Sequence, residues 1–153
     1  MLYKALVWCK LVDMLTRLVF DDKERVGAWV AEQVEQTASW GSFYAMGVES
    51  DGEITAGIVF HQFNDSNAVC HIAVAKPGKD FIKLLQHGAH YAFNLCGLKR
   101  LTGMVEDENK KALKLDLKMG FEHEFTMKSA GNGGQDLHVL VLWPENFRYE
   151  YDL

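Results

Sequence analysis

The segment Val105–Phe121 reads V-E-D-E-N-K-K-A-L-K-L-D-L-K-M-G-F, and the reading of the whole chain turns on it. Its valine closes a run that begins at Arg100, so Arg100–Val105 reads as a short strand. Glu106, Asp107, Glu108 and Asn109 then open a helix, because acidic side chains suit the positive end of a helix dipole. Ala112, Leu113 and Leu117 form its apolar side, and Gly120 supplies the residue type that ends helices in a left-handed conformation. Phe121–Lys128 follows as a strand, and the unit is therefore strand–helix–strand.

The same reasoning extends outward. Toward the C-terminus, Ala130–Gln135 reads as a flexible hairpin loop and Leu137–Trp143 as a strand stopped by Pro144. Toward the N-terminus, Phe81, Leu84, Leu85, Ala89, Ala92 and Phe93 trace one face of a helix that Asp80 could cap and Gly97 ends. Before it, Phe43–Glu49, Ile54–Phe63 and Ala68–Ala75 read as three antiparallel strands. An Asp51-Gly52 turn and an Asn64–Asn67 turn join them. Val26, Trp29, Val30 and Val34 mark an amphipathic helix over Lys23–Thr37, with Asp21 or Asp22 as its cap. Leu2–Phe20 admits two readings: a helix carrying Leu11, Met14, Leu15 and Leu18, or a short strand ending at Leu18-Val19-Phe20.

The order helix, three strands, helix, strand, helix, two strands implies an α/β (α+β) domain around one mixed, mostly antiparallel sheet with flanking helices. At 153 residues the chain is expected to be a single domain, 1–153, with an aromatic tail over residues 144–153. Phe147, Tyr149 and Tyr151 in that tail suit either packing on the domain itself or a protein interface. The formal charge of −5 argues against nucleic acid as a partner, since phosphate neutralisation needs clustered Lys and Arg. No apolar run approaches the ~18 residues that span a bilayer, so no membrane role is expected. Cys9, Cys70 and Cys96 form no C-x-x-C pair and read as buried thiols in a cytoplasmic protein.

General catalytic motifs are absent: the chain has no phosphate-binding G-x-x-x-x-G-K-[ST], no G-x-S-x-G and no H-E-x-x-H. His87 and His90 lie one turn apart but lack further ligands at a supporting spacing, so no metal is expected. His61 and His71 fall on adjacent strands, where a histidine facing a cleft can act as a base near neutrality. Glu106, Asp107 and Glu108 read as a solvated helix start, and Gly131–Gly134 as a hairpin tip with no helix end behind it to cradle phosphate.

Within Val105–Phe121, Asn109, Ala112, Leu115 and Gly120-Phe121 stand at offsets that closely resemble the N-x-x-A-x-x-L-Y-x-x-x-G-F block of the GNAT family of N-acetyltransferases. The order of elements from Leu18 to Trp143 is similar to that family too. V-G-A-W-V-A-E-Q-V near residue 26, Y-A-M-G-V-E-S-D-G-E-I-T-A-G-I-V-F-H near residue 44 and G-G-Q-D-L-H-V-L-V-L near residue 133 resemble a divergent branch associated with phages and prophages.

The resemblance implies an acyl-CoA N-acyltransferase fold in which the fourth and fifth strands part, with acetyl-CoA lying in the gap. Ile72, Ala73 and Val74 of the fourth strand would then meet the pantetheine arm. The loop and helix start carrying Lys76, Gly78, Lys79, Asp80 and Phe81 would hold the pyrophosphate, with Asn109 and Ala112 bordering the cofactor from the next helix. The family's pyrophosphate loop, [RQ]-x-x-G-x-[GA], is reduced here to Gly78. The residue after Leu115, usually the tyrosine that acts as acid, is Asp116, which is expected to be ionised near neutrality unless burial shifts it. His71 is the candidate base. The implied activity is direct acetyl transfer to an amine or lysine acceptor, with a possible homodimer as the assembly. The alternative is a degenerate phage protein that keeps the fold as a binding or structural module.

Overall fold

The structure, a computed structural model, describes residues 15–151 and 153. Seven strands among these residues form one sheet: β1 Thr16–Val19, β2 Phe43–Ser50, β3 Glu53–His61, β4 Asn67–Val74, β5 Arg100–Glu106, β6 Glu122–Met127 and β7 Leu137–Leu142. Their order across the sheet is β1-β2-β3-β4-β5-β7-β6. Only β4 and β5 pair in parallel. Helix α1, Lys23–Gln33, covers one face; α2, Lys79–Ala89, and α3, Lys110–Met119, cover the other. The expected mixed, mostly antiparallel sheet with flanking helices is thus the observed one.

Local chemistry explains the boundaries. The β2–β3 hairpin turns through Asp51 and Gly52, both at positive φ (53° and 80°), as the Asp-Gly pair suggests. Asn64 accepts the backbone N–H groups of Ser66 and Asn67 at 2.9 and 2.8 Å, closing the next turn. Helix α1 stops at Gln33, four residues short of the Thr37 expected from periodicity. Glu35 adopts φ 55°, and the Gln36 N–H returns to the Ala31 carbonyl at 2.8 Å, a Schellman closure. Of the two readings of the N-terminal segment, the strand ending at Val19 is observed. Residues 1–14, with Leu11, Met14 and Cys9, lie outside the described part.

Three further expectations change. Asp80 does not cap α2; Gly78 occupies that position with no side-chain cap, and Asp80 stands in the first turn 3.9 Å from Lys83. The acidic triplet does not open α3 either. Strand β5 runs through Glu106, and Asn109 is the cap, its Oδ1 accepting the Ala112 N–H at 3.1 Å. Cys96 is exposed, whereas Cys70 is buried as expected.

Each face has its own core. Val26, Val30 and Trp40 pack on Val19, Ala45, Ile54, Val59 and Ala73 beneath α1. That helix lies close because Gly47 and Gly57 face each other across β2 and β3; a Cβ on Gly57 would stand 2.6 Å from Val30 Cγ2. On the opposite face Met46, Ile58, Phe60, Phe81, Leu84, Leu85, Leu140 and Leu142 form the larger core. The aromatic tail packs on its own domain, the first of its two expected roles. Phe147 and Tyr149 cover this core, the Arg148 N–H donates to the Met119 carbonyl at 3.0 Å, and the Tyr151 hydroxyl donates to Asn94 at 2.8 Å.

Candidate active site

Strands β4 and β5 are paired only from Asn67 to Cys70, opposite Arg100 to Gly103. The paired end is fastened by the Thr102 hydroxyl, which donates to Asn67 Oδ1 at 2.8 Å. Beyond Gly103, β5 continues with β7 alone, its Glu106 opposite Leu137, while β4 continues with β3. The sheet therefore opens between His71–Val74 and Met104–Glu106. Backbone groups of β4 that would bond a central neighbour face a gap, and a gap of this kind can take an extended ligand by strand-like pairing.

A cavity of about 220 Å³ occupies the gap and passes through the sheet. Ala112 and Asp116 of α3 line it on one face, with Asn109 at that helix's start; Val34 and Gln36, just past α1, line it on the other. Cys70, His71 and Ile72 contribute one wall and Gly103, Val105 and Glu106 the opposite one. Gly103 carries no side chain where Asp116 and Phe121 press in; a Cβ there would lie 3.8 Å from Asp116 Oδ2.

Asp116 is only 8% exposed. Removal from water pushes its carboxyl up to about 7, so near neutrality a substantial fraction is the neutral acid, a proton donor. The same burial, with Asp116 close by, raises the Cys70 thiol far above its usual range, so it stays protonated and inert.

His71 belongs to the opposite face. Its Nε2 lies 3.0 Å from Nε2 of His61, whose opposite neighbour across β3 and β4 is Val69. Trp40 packs against both imidazoles, ring centroids 5.0 Å from His61 and 4.9 Å from His71, and anchors its own indole N–H on the Gly27 carbonyl at 3.0 Å. Burial first, then the neighbouring His61, lowers His71 to about 4; burial lowers His61 as well. Both rings are neutral at physiological pH. One Nε2 donates and the other accepts.

At the end of β4 the chain turns in four residues into α2. Gly78 takes φ 157° and ψ −163°, a region essentially restricted to glycine. No side chain caps this helix, so the first-turn N–H groups of Lys79, Asp80 and Phe81 form an open positive end beside the exposed Lys76 and Lys79.

The structure thus gathers His71, Ile72, Asn109, Ala112 and Asp116 around one cavity. Ala73 turns its methyl into the α1 core, and Phe81 is buried in the other, so each offers only backbone to a ligand. Asn109 spends Oδ1 on its capping bond and keeps Nδ2 free to donate.

The reading of Glu106 as part of a solvated helix start does not hold. Glu106 accepts the Asn132 N–H at 2.8 Å and the Gln135 amide at 2.6 Å, drawing the β6–β7 hairpin tip over the cavity, where Ala130 and Asn132 join its lining. Trp40 and Glu106 had no motif to announce them. Their partners lie 13 to 31 residues away, beyond any local spacing rule. Among the described residues, no group of three or more His, Cys, Asp or Glu side chains is arranged to hold a metal ion. No helix among them is long and apolar enough to cross a membrane.

No protein-family model matches the chain, and no curated protein matches it in sequence. Solved structures do match. A spermidine N-acetyltransferase SpeG mutant from Vibrio cholerae superposes with a TM-score of 0.67 at 16% identity, over 85% of this chain and 94% of that one. A structure of SpeG from the same organism in complex with manganese ions gives 0.67 at 14%, over 85% and 93%. A dodecameric structure of the Vibrio cholerae enzyme gives 0.67 at 17%, over 85% and 94%. At these identities the likeness is one of fold. The chain has the GNAT acyltransferase fold.

Proposed function

We propose that this chain is an acetyl-CoA-dependent N-acetyltransferase that passes an acetyl group directly to a primary amine, on a small molecule or a lysine side chain. The observation that carries the reading is the parted pair β4 and β5, with an uncapped helix end at the mouth of the gap and two oppositely perturbed groups on its walls.

In this reading backbone groups of Ile72, Ala73 and Val74 receive the pantetheine arm. The N–H groups at Lys79, Asp80 and Phe81, with Gly78 leaving room and Lys76 and Lys79 adding charge, hold the pyrophosphate. The Asn109 Nδ2 donates to the arm, and Ala112 keeps the α3 wall low. Acetyl-CoA supplies an activated thioester carbonyl. His71 takes the proton that the amine loses as the nitrogen–carbon bond forms, and Asp116 gives its proton to the sulfur as the carbon–sulfur bond breaks. One proton leaves the amine and one reaches the thiol, so the balance closes once His71 passes its proton back to Asp116 through solvent. The amine enters past Val34 and Gln36, on the His71 side.

Calorimetric titration with acetyl-CoA, CoA and desulfo-CoA tests the reading. Micromolar binding, about 8 kcal/mol, supports it, and a panel of amines assayed for release of free thiol then identifies the acceptor class. No binding at millimolar acetyl-CoA removes the enzyme reading and leaves the fold as a binding scaffold.

A further inference from the structure

Strand alternation puts residues three apart on opposite faces of a sheet, yet His123 and Thr126 of β6 point the same way. The reason is a β-bulge. His123 pairs with Leu140 and Phe125 with Val139, so Glu124 is an extra residue that shifts the alternation by one. Thr126 then stands opposite His138 of β7. Nε2 of His123 and Nδ1 of His138 converge on the Thr126 hydroxyl at 2.9 and 3.0 Å and lie 3.4 Å from each other.

The far side of His138 is fixed as well. Its Nε2–H donates to Asp107 Oδ1 at 2.7 Å, which leaves Nδ1 with its lone pair toward His123. A carboxylate on the outer nitrogen of an imidazole is the usual support of a metal-binding histidine, fixing its tautomer and raising its basicity.

We propose that His123 and His138 form a binding site for one imidazole-preferring divalent transition ion such as Zn²⁺, with Asp107 as its outer support. Two nitrogens each 2.0–2.1 Å from a tetrahedral zinc are about 3.3 Å apart, close to the spacing found here. The buried His61–His71 pair differs: its nitrogens are 3.0 Å apart, the length of a direct hydrogen bond. At the β6–β7 site the Thr126 hydroxyl yields the bridging place, and because His123 is exposed, water fills the remaining positions. An ion held there joins β6 to β7 at a point that His138 already fastens, through Asp107, to the turn between β5 and α3. The tip of that hairpin lies over the candidate active site.

The test uses chelator-treated full-length protein without a polyhistidine tag, titrated with zinc chloride by calorimetry and followed by thermal unfolding. One equivalent is expected to bind and to raise the melting temperature. His123→Ala and His138→Ala each weaken binding at least tenfold and abolish the thermal shift; Asp107→Asn weakens binding about tenfold or more. Unchanged affinity in His123→Ala overturns the proposal. So does an absence of binding at millimolar zinc, or loss of binding in His71→Ala with retention in His123→Ala.

Discussion

Asp116 and His71 look into one cleft from opposite faces of the sheet, and the same physical cause moves them in opposite directions. Burial raises the carboxyl to about 7 and, with His61 beside it, lowers the imidazole to about 4. Desolvation always favours the uncharged form, so it leaves an acid holding its proton on the α3 side and a base without one on the α1 side. The difference teaches that an acid and a base need no opposite environments. Burial beside one gap in a sheet shifts both toward their neutral forms.

The hardest break of this comparison is removal of the acid. Asp116→Asn is expected to lower turnover by about 10²–10⁴-fold, the range of a lost general acid, while acetyl-CoA affinity by calorimetry stays unchanged. In the unaltered protein the proposed mechanism makes turnover fall as pH rises through about 7, because Asp116 then loses the proton assigned to it. An Asp116→Asn variant with full turnover removes Asp116 from the chemistry. His71→Ala is expected to lower turnover by about 10²-fold or more, with a much smaller effect on stability.

Stability sharpens the contrast next. For Asp116 the folded value lies above the unfolded 3.8, so its contribution is lost as pH rises from about 4 to 7. The ceiling on this loss is about 4 kcal/mol at 1.36 kcal/mol per unit. For His71 the folded value lies below 6.5, so its contribution is lost as pH falls from about 6.5 to 4, with a ceiling of about 3 kcal/mol. The two slopes oppose each other over that window. Urea unfolding from pH 4.5 to 8 should show Asp116→Asn gaining stability over the unaltered protein as pH rises. His71→Gln should instead gain as pH falls. Parallel profiles for all three proteins would mean that neither group is buried as described.

Smaller effects test the frame that holds the two groups apart. Gly57→Ala should cost about 1–3 kcal/mol by overpacking, since its Cβ would meet Val30 at 2.6 Å and Val26 at 3.0 Å and lift α1 from the sheet. Asn109→Ala should cost about 1 kcal/mol through the lost cap, measured by thermal unfolding, with a modest loss of acetyl-CoA affinity alongside it.

Much of the frame is legible in the sequence. Val26 and Val30, the Asp51-Gly52 turn, the β-rich runs that become β3 and β4 and the Gly120 stop, at φ 118°, all behave as their local chemistry dictates. The departures fall at element ends, where a competing bond decides. Gln36 closes α1 early on Ala31, and Asn109 takes the cap that the acidic triplet promised. The site is half legible. Asn109, Ala112 and Asp116 sit in one recognisable stretch, and His71 stands out by residue type. Glu106 does not, because its role rests on Asn132 and Gln135, 26 and 29 residues away.

The sequence's own contribution is therefore the periodic part: which residues face inward, where turns fall and how the elements follow one another. Such signals are local, set by side-chain spacing and backbone preference within a few residues. Tertiary packing alone makes β4 and β5 part after Cys70 and Gly103, brings His61 to His71 under Trp40 and keeps Asp116 dry. A carboxyl's affinity for its proton depends on how much water its distant neighbours exclude, and no spacing along the chain records that.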